Sequence, residues 1–223
     1  MRARILVVED EAPIRRGLCD VLAYHGHAPT PVATGTEGLQ EALSGAYDLL
    51  ILDVMLPGVD GLTICERARE AHPAQAILML TARGGEGDVL EGFRRGADDY
   101  VAKPFSVAQV VARVTALLRR SGIQERFSVG GVPVDTERLT AGAEAQVALS
   151  RRDVELLSYL GKTPGRAVSR EELLREVWGY AITRGVETRC VDMHIAKLRK
   201  KLAPVAAGTV IETVRGAGYR VSA

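Results

Sequence analysis

Long apolar runs, cysteines and a net charge of either sign are all scarce in this chain, and each shortage excludes a class of function. No stretch of the 223 residues approaches the roughly 18 apolar residues of a membrane-spanning helix. Arg2 and Arg4 precede an apolar segment, but Ile5–Val8 is too short for a signal peptide and runs into Glu9-Asp10-Glu11. The sequence therefore points to a cytoplasmic chain with no membrane partner. Three cysteines, Cys19, Cys65 and Cys190, are odd in number and lack metal spacing; free thiols in a reducing compartment are expected, not a disulfide framework. Repeats and low-complexity segments are missing too, which leaves an ordinary globular composition of 47% apolar and 26% charged residues.

The net charge of +1 hides an asymmetry. Residues 1–120 carry 13 Lys/Arg against 16 Asp/Glu, whereas residues 127–223 carry 15 against 11. Length allows two modest domains, each with its own core. An acidic first half joined to a basic second half implies that the second half meets a polyanion.

Four short apolar runs dominate the first half, and each ends in a polar group. Ile5–Val8 leads into Glu9-Asp10, Leu49–Leu52 into Asp53, Ala76–Leu80 into Thr81, and Tyr100–Ala102 into Lys103-Pro104. Separated by helical patterns, such runs read as parallel strands buried on both faces. The carboxyl ends of the strands then line one crevice, so three carboxylates, a hydroxyl and an ammonium converge there. A single Asp at a strand end is commonly a helix cap; four matched strand ends are a site. Crowded carboxylates stay ionised most easily around a hard divalent cation such as Mg²⁺, which fills its octahedron with water and phosphate oxygens. A carboxylate held in line with a metal-bound phosphoryl group can attack it. Lys103 can neutralise one phosphate oxygen and Thr81 can donate a hydrogen bond to another.

The strands are expected over Arg4–Val8, Ala28–Val32, Leu49–Asp53, Ala76–Leu80 and Tyr100–Ala102. Helical patterns fall near Pro13–His25, Thr36–Ser44, Leu62–His72, Asp88–Arg95 and Val107–Arg120. Pro29 and Pro31 remove ladder donors from the second strand, which places it at a sheet edge. This agrees with a flavodoxin-like (βα)5 fold of strand order 2-1-3-4-5.

These residues resemble the receiver domain of bacterial response regulators. The matching stretches are Val7–Arg15, Asp53–Gly61, Thr81–Arg83 and Gly96–Phe105. The resemblance implies that Asp53 is the phosphoacceptor and that Glu9, Asp10, Asp53 and the Met55 backbone carbonyl hold Mg²⁺ or Mn²⁺. Thr81 and Tyr100 look like a switch pair, Tyr100 turning inward on phosphorylation. Lys103 looks like the phosphate-binding lysine before a cis Pro104. Relatives dimerise through three cross-subunit ion pairs. By position Asp99–Arg113 is retained, while Val89 facing Gln109 and Arg94 facing Thr115 lack opposite charges.

Ser121–Arg126 reads as a polar linker between a first domain at 1–120 and a second at 127–223. Phe127–Ser150 has short strand patterns with turns at Gly130-Gly131 and Ala141-Gly142. Ser150-Arg-Arg-Asp153 opens a helix as a capping box, and Ser169-Arg-Glu-Glu172 opens another. Thr188–Leu202 is the third and most basic helical pattern. Val191, Ile195, Leu198 and Leu202 would face the core, which puts Cys190, Met193 and Lys197 opposite. Val210–Thr213 and Tyr219–Val221 flank a glycine-bearing hairpin at Arg215–Gly218. A basic helix after a helix pair and before a hairpin suits helix-turn-helix docking with a wing.

This half, a small α+β arrangement, is similar to the winged-helix effector of the OmpR/PhoB family. The similarity runs through Leu149-Ser150, Glu155–Leu157, Val168–Gly179, Val191–Arg199 and Thr213–Arg220. It implies that Thr188–Leu202 is the recognition helix. Met193 and Lys197 would touch bases, Arg189, His194 and Arg199 would touch phosphates, and Arg215 would enter the minor groove. Cys190 and Ala196 replace residues that are often Thr and Arg. The Gly179–Glu187 link is slightly long and corresponds to a region that touches RNA polymerase in some relatives.

The resulting expectation is a phosphorylation-controlled transcription factor, not an enzyme beyond its own phosphoryl transfer and hydrolysis. A sensor histidine kinase would phosphorylate it, and a homodimer would bind tandem half-sites on promoter DNA. Two other readings stay open. One is a DNA-binding regulator with a phosphate-independent receiver. The other is a haloacid-dehalogenase-like phosphohydrolase, which needs a second Asp where this chain has Met55.

Overall fold

The structure, a computed structural model, describes residues 2–82, 95–118, 126–179 and 188–221. The chain divides into two compact units, Met1–Arg119 and Arg120–Ala223.

In the first unit five strands form one parallel sheet: β1 (Arg4–Val8), β2 (Ala28–Val32), β3 (Leu49–Asp53), β4 (Ala76–Ala82) and β5 (Asp99–Lys103). Their order is β2-β1-β3-β4-β5, so the proline-bearing β2 does lie at an edge. Every residue of the central β3 is buried, as a strand covered on both faces requires. The helices are α1 (Ala12–Tyr24), α2 (Gly35–Leu43), α3 (Gly61–Ala71) and α4 (Val107–Leu118). On one face Ile5, Val7, Leu49, Ile51, Leu78 and Leu80 pack with Leu18 and Leu22 of α1 and with Val110, Val114 and Leu117 of α4. Each such side chain contributes about 1.5–3 kcal/mol on full burial. Alternate strand residues, among them Leu6, Val8, Leu50 and Leu52, are equally buried on the opposite face. There Gly38 of α2 approaches Val8 and Ile64 of α3.

Local chemistry sets the helix starts. Thr34 accepts from Glu37 N at 3.3 Å to cap α2, and Asp60 accepts from Thr63 N at 2.8 Å to cap α3. The expected helix over Asp88–Arg95 falls mostly outside the described residues, as do Arg83, Val89 and Arg94.

The second unit begins with an antiparallel sheet of β6 (Arg126–Val129), β7 (Val132–Asp135), β8 (Thr140–Ala141) and β9 (Val147–Ala148). Gly130 and Gly131 form the first turn, both at positive φ. Arg126, read above as linker, already pairs with Asp135 in this sheet; the rest of that linker lies outside the described residues. Three helices follow: α5 (Arg151–Gly161), α6 (Arg170–Glu176) and α7 (Thr188–Leu202). The Ser150–Asp153 capping box is present in both directions. Antiparallel β10 (Ile211–Val214) and β11 (Gly218–Val221) close the chain as a hairpin. Leu156, Leu157, Leu160, Trp178, Val191, Ile195, Leu198 and Ile211 make the core, each at most 1% exposed. The helix and strand order is that of a winged helix.

Among the described residues no helix is long and apolar enough to cross a membrane.

Candidate functional site

β1, β3 and β5 end at the same edge of the parallel sheet, and residues at or just past those ends meet there. Carboxylate oxygens of Glu9, Asp10 and Asp53 all lie within 4.8 Å of one another. Lys103 Nζ stands 2.7 Å from Asp53 Oδ2 and 2.8 Å from Glu9 Oε2. Thr81, at the end of β4, is 3% exposed. The Lys103–Pro104 peptide bond is cis.

The backbone holds this cluster in place. Gly61 N donates to Val54 O at 3.0 Å, and a Cβ on Gly61 would fall 1.8 Å from Asp53 O. The first residue of α3 thus seats directly on the end of β3, a close approach that only glycine permits. Met55 N donates to Asp53 Oδ1 at 3.3 Å and holds the carboxylate beside its own backbone. On the other side Glu11 N donates to Glu9 Oε1 at 3.2 Å, and Arg15 donates to the Glu9 and Asp10 carbonyls.

Charge balance decides what the pocket can hold. Burial of Glu9, together with the neighbouring Asp53 charge, outweighs the Lys103 contact and pushes the Glu9 carboxyl up to about 6. Burial also opposes the Lys103 charge, but hydrogen bonds to Asp53 and Glu9 outweigh it and hold the ammonium above the usual lysine range. One ammonium therefore does not neutralise the carboxylates it touches. The remaining negative charge and the all-oxygen donor set fit Mg²⁺ or Mn²⁺, with Glu9, Asp10 and Asp53 as the holding residues.

The residues expected at the switch and the dimer face take these places in the chain. Tyr100, expected to turn inward on phosphorylation, is already 7% exposed. Asp99 and Arg113, expected at the dimer face, lie 3.8 Å apart within this chain with both side chains buried. Burial of the Asp99 carboxylate rewards the nearest guanidinium, and α4 of the same chain supplies it. Gln109 and Thr115 also turn to local work, Gln109 Oε1 accepting from Ser106 N at 2.9 Å and Thr115 Oγ1 donating to Val111 O at 2.8 Å. Sequence reasoning also passed over Glu11, whose Oε1 is 3.4 Å from Lys103 Nζ; its place in the Glu9–Glu11 run was the available signal.

In the second unit α7 exposes Arg189, Ala196 and Lys200, with Met193 and Lys197 half-buried beside them. Arg215 is exposed at the hairpin tip. Cys190 and His194 do not join that face. Cys190 is 1% and His194 4% exposed, and the His194 ring meets Trp178 edge-on at 5.2 Å between centroids. The α7 register turns position 194 toward Trp178. Arg199 is partly committed within the protein, donating to Ile211 O at 2.8 Å and Thr213 Oγ1 at 2.9 Å. Residues 180–187, the region compared above with a polymerase contact, lie outside the described residues.

Residues 5–115 match the family described as Response regulator receiver domain, and residues 144–221 match Transcriptional regulatory protein, C terminal. The transcriptional regulatory protein ResD of Bacillus subtilis is 41% identical, over 97% of this chain and 95% of that protein. The chain belongs to the OmpR/PhoB family of response regulators. Among solved structures, a RitR mutant aligns with a TM-score of 0.76 at 32% identity, covering 99% of both chains. Response regulator DrrB, an OmpR/PhoB homologue of Thermotoga maritima, aligns with a TM-score of 0.54 at 30% identity over the whole of both chains. As an OmpR/PhoB response regulator, the chain is a two-component transcription regulator with a receiver and a DNA-binding effector domain, a non-enzymatic class.

Proposed function

We propose that the receiver takes a phosphoryl group on Asp53 from a sensor histidine kinase, and that this controls binding of the effector to promoter DNA as a homodimer on tandem half-sites. The observation that carries the proposal is Lys103 Nζ at 2.7 Å from Asp53 Oδ2 inside the acidic cluster. Glu9, Asp10, Asp53 and the Met55 carbonyl would hold Mg²⁺, which would supply the positive charge that lets a phosphate dianion approach a carboxylate. An Asp53 oxygen forms the new bond to phosphorus while the bond from phosphorus to the donor breaks. Lys103 leaves its carboxylate contacts to pair with a phosphoryl oxygen, and the Thr81 hydroxyl donates to another. Tyr100, buried on the adjoining strand, follows Thr81.

On the effector side, α7 enters the major groove with Met193 and Lys197 against base edges. Arg189 and Arg199 contact phosphates, and Arg215 on the wing reaches the adjoining minor groove. The excess of basic residues in the second half supports this reading. Intact-mass measurement with acetyl phosphate tests the receiver chemistry. A phosphoryl adduct is expected on the wild-type protein with Mg²⁺ and not with chelator, and none on Asp53→Asn. Equal adducts on both proteins would remove Asp53 from the role.

A further inference from the structure

Asp192 is an acidic residue on the most basic helix of the protein. On α7 it lies three residues after Arg189 and four before Ala196, both exposed, so it borders the face assigned above to DNA. Its side chain is 44% exposed. A bare carboxylate there repels the phosphate backbone. It is not bare. Arg170 Nε, from the first residue of α6, stands 2.6 Å from Asp192 Oδ1, and the Tyr219 hydroxyl donates to the same oxygen.

Tyr219 ties these groups to the wing. Arg170 also donates to its hydroxyl at 3.3 Å. The Arg170 guanidinium lies 5.0 Å and the Arg199 guanidinium 5.7 Å from the centre of its ring, both within cation–π range. The Tyr219 backbone pairs with Val168 through hydrogen bonds of 2.7 and 2.9 Å. Gly218, at φ +132°, packs so tightly that a Cβ would lie 2.0 Å from Val168 O. Burial and the Asp192 carboxylate push the Tyr219 hydroxyl up to about 12, so it stays a donor. The start of α6, the flank of α7 and the root of the wing therefore converge on one carboxylate and one phenol.

We propose that Asp192 is a positioning residue for DNA recognition, clasping the wing to α7 through Tyr219 and committing the Arg170 charge to the protein instead of to DNA. The clasp fixes where the Arg215 tip stands relative to Lys197, so that the two groove contacts are made together. The inference rests on α7 entering the major groove.

The test uses the full chain and two duplexes: one selected by the wild-type protein from a random-sequence pool, and a shuffled duplex of the same composition. Affinities are read by fluorescence anisotropy across salt concentrations. Asp192→Asn removes a negative charge and releases Arg170, so binding to the shuffled duplex should tighten and its salt slope should steepen by about one unit. The ratio of selected to shuffled affinity should fall roughly tenfold, the scale of one base contact. Tyr219→Phe keeps the ring and every charge; it should lower that ratio with the slope unchanged. Asp192→Glu should restore much of the ratio. A proportional loss on both duplexes, with no change of slope, would mean that Asp192 serves the fold alone and would overturn the clasp. A wild-type ratio retained in both Asp192→Asn and Tyr219→Phe would overturn it equally. Tyr219→Phe decides the matter even where Asp192→Asn does not fold. If the wild type itself does not prefer its selected duplex, the docking of α7 fails first and the clasp with it.

Discussion

Lys103 Nζ and Asp53 Oδ2 lie 2.7 Å apart although fifty residues separate them in sequence. The same nitrogen is within 3.4 Å of Glu9 and Glu11, so one ammonium holds together two carboxylates from the β1–α1 turn and one from β3.

Removing that ammonium should expose the repulsion it masks. Lys103→Met is expected to lose about 2–4 kcal/mol of stability in chelator, since it strands buried carboxylates without a counter-charge. Mg²⁺ should then stabilise the variant more than the wild type, because the ion no longer competes with Lys103; each tenfold gain in affinity adds about 1.4 kcal/mol at saturation. Thermal melts of both proteins with EDTA and with Mg²⁺ check this. Equal stabilisation of the two would show that Lys103 does not oppose the metal.

Gly61 makes a second, purely steric prediction. Its missing Cβ would sit 1.8 Å from Asp53 O, against backbone that cannot rotate away. Gly61→Ala should cost about 2–4 kcal/mol through overpacking and should slow acetyl-phosphate labelling of Asp53 by displacing the strand end. Urea unfolding and intact-mass kinetics measure the two effects separately. Labelling at the wild-type rate in a destabilised protein would mean that the strand end does not move.

Much of this was legible in the sequence for one reason: a parallel sheet buries its strands on both faces, so each strand is an unbroken apolar run whose end is marked by a polar residue. Glu9, Asp53, Thr81 and Lys103 stood out on that basis, and Pro29 and Pro31 marked the edge strand. Helix periodicity likewise gave the buried positions Val191, Ile195, Leu198 and Leu202 of α7. It failed for Cys190, placed on the outward side but 1% exposed, because a helix packed from two sides buries more than one stripe. Sequence position cannot tell whether Asp99 and Arg113 meet within a chain or across a dimer; within this chain they lie 3.8 Å apart. Arg170, Asp192 and Tyr219 gave no signal, since three residues from three separate elements share no spacing rule.

Acid should weaken the second unit through Glu172. Its carboxylate receives Arg166 at 2.6 and 3.0 Å and the Tyr159 hydroxyl at 2.8 Å, joining α5 to α6. Above all the Arg166 hydrogen bonds hold its pKa at about 2, against 4.5 for an ordinary Glu. A depressed folded value means that the carboxylate stabilises the fold fully above the unfolded value and loses that contribution as pH falls from about 4.5 toward 2. Glu172→Gln should therefore be less stable than wild type at neutral pH, with the gap closing across that acid window. Denaturant melts at several pH values follow the gap; one that stays constant down to pH 2 would refute the linkage.

Base reading and backbone gripping should separate at Lys197 and Arg199. Lys197 borders the exposed face of α7, whereas Arg199 is tied to Ile211 O and Thr213 and lies over Tyr219. Base contacts specify sequence, and phosphate contacts supply the salt-dependent affinity. Lys197→Ala should cost about 1–3 kcal/mol on a preferred duplex and much less on a scrambled one. Arg199→Ala should weaken both duplexes similarly and lower the salt slope by about one unit. It should also lower the melting temperature, because the guanidinium fastens β10 to α7. Binding titrations at several salt concentrations, paired with melts of the same preparations, separate these effects. Equal losses on both duplexes for Lys197→Ala would remove it from base reading and shift the register in which α7 meets the groove.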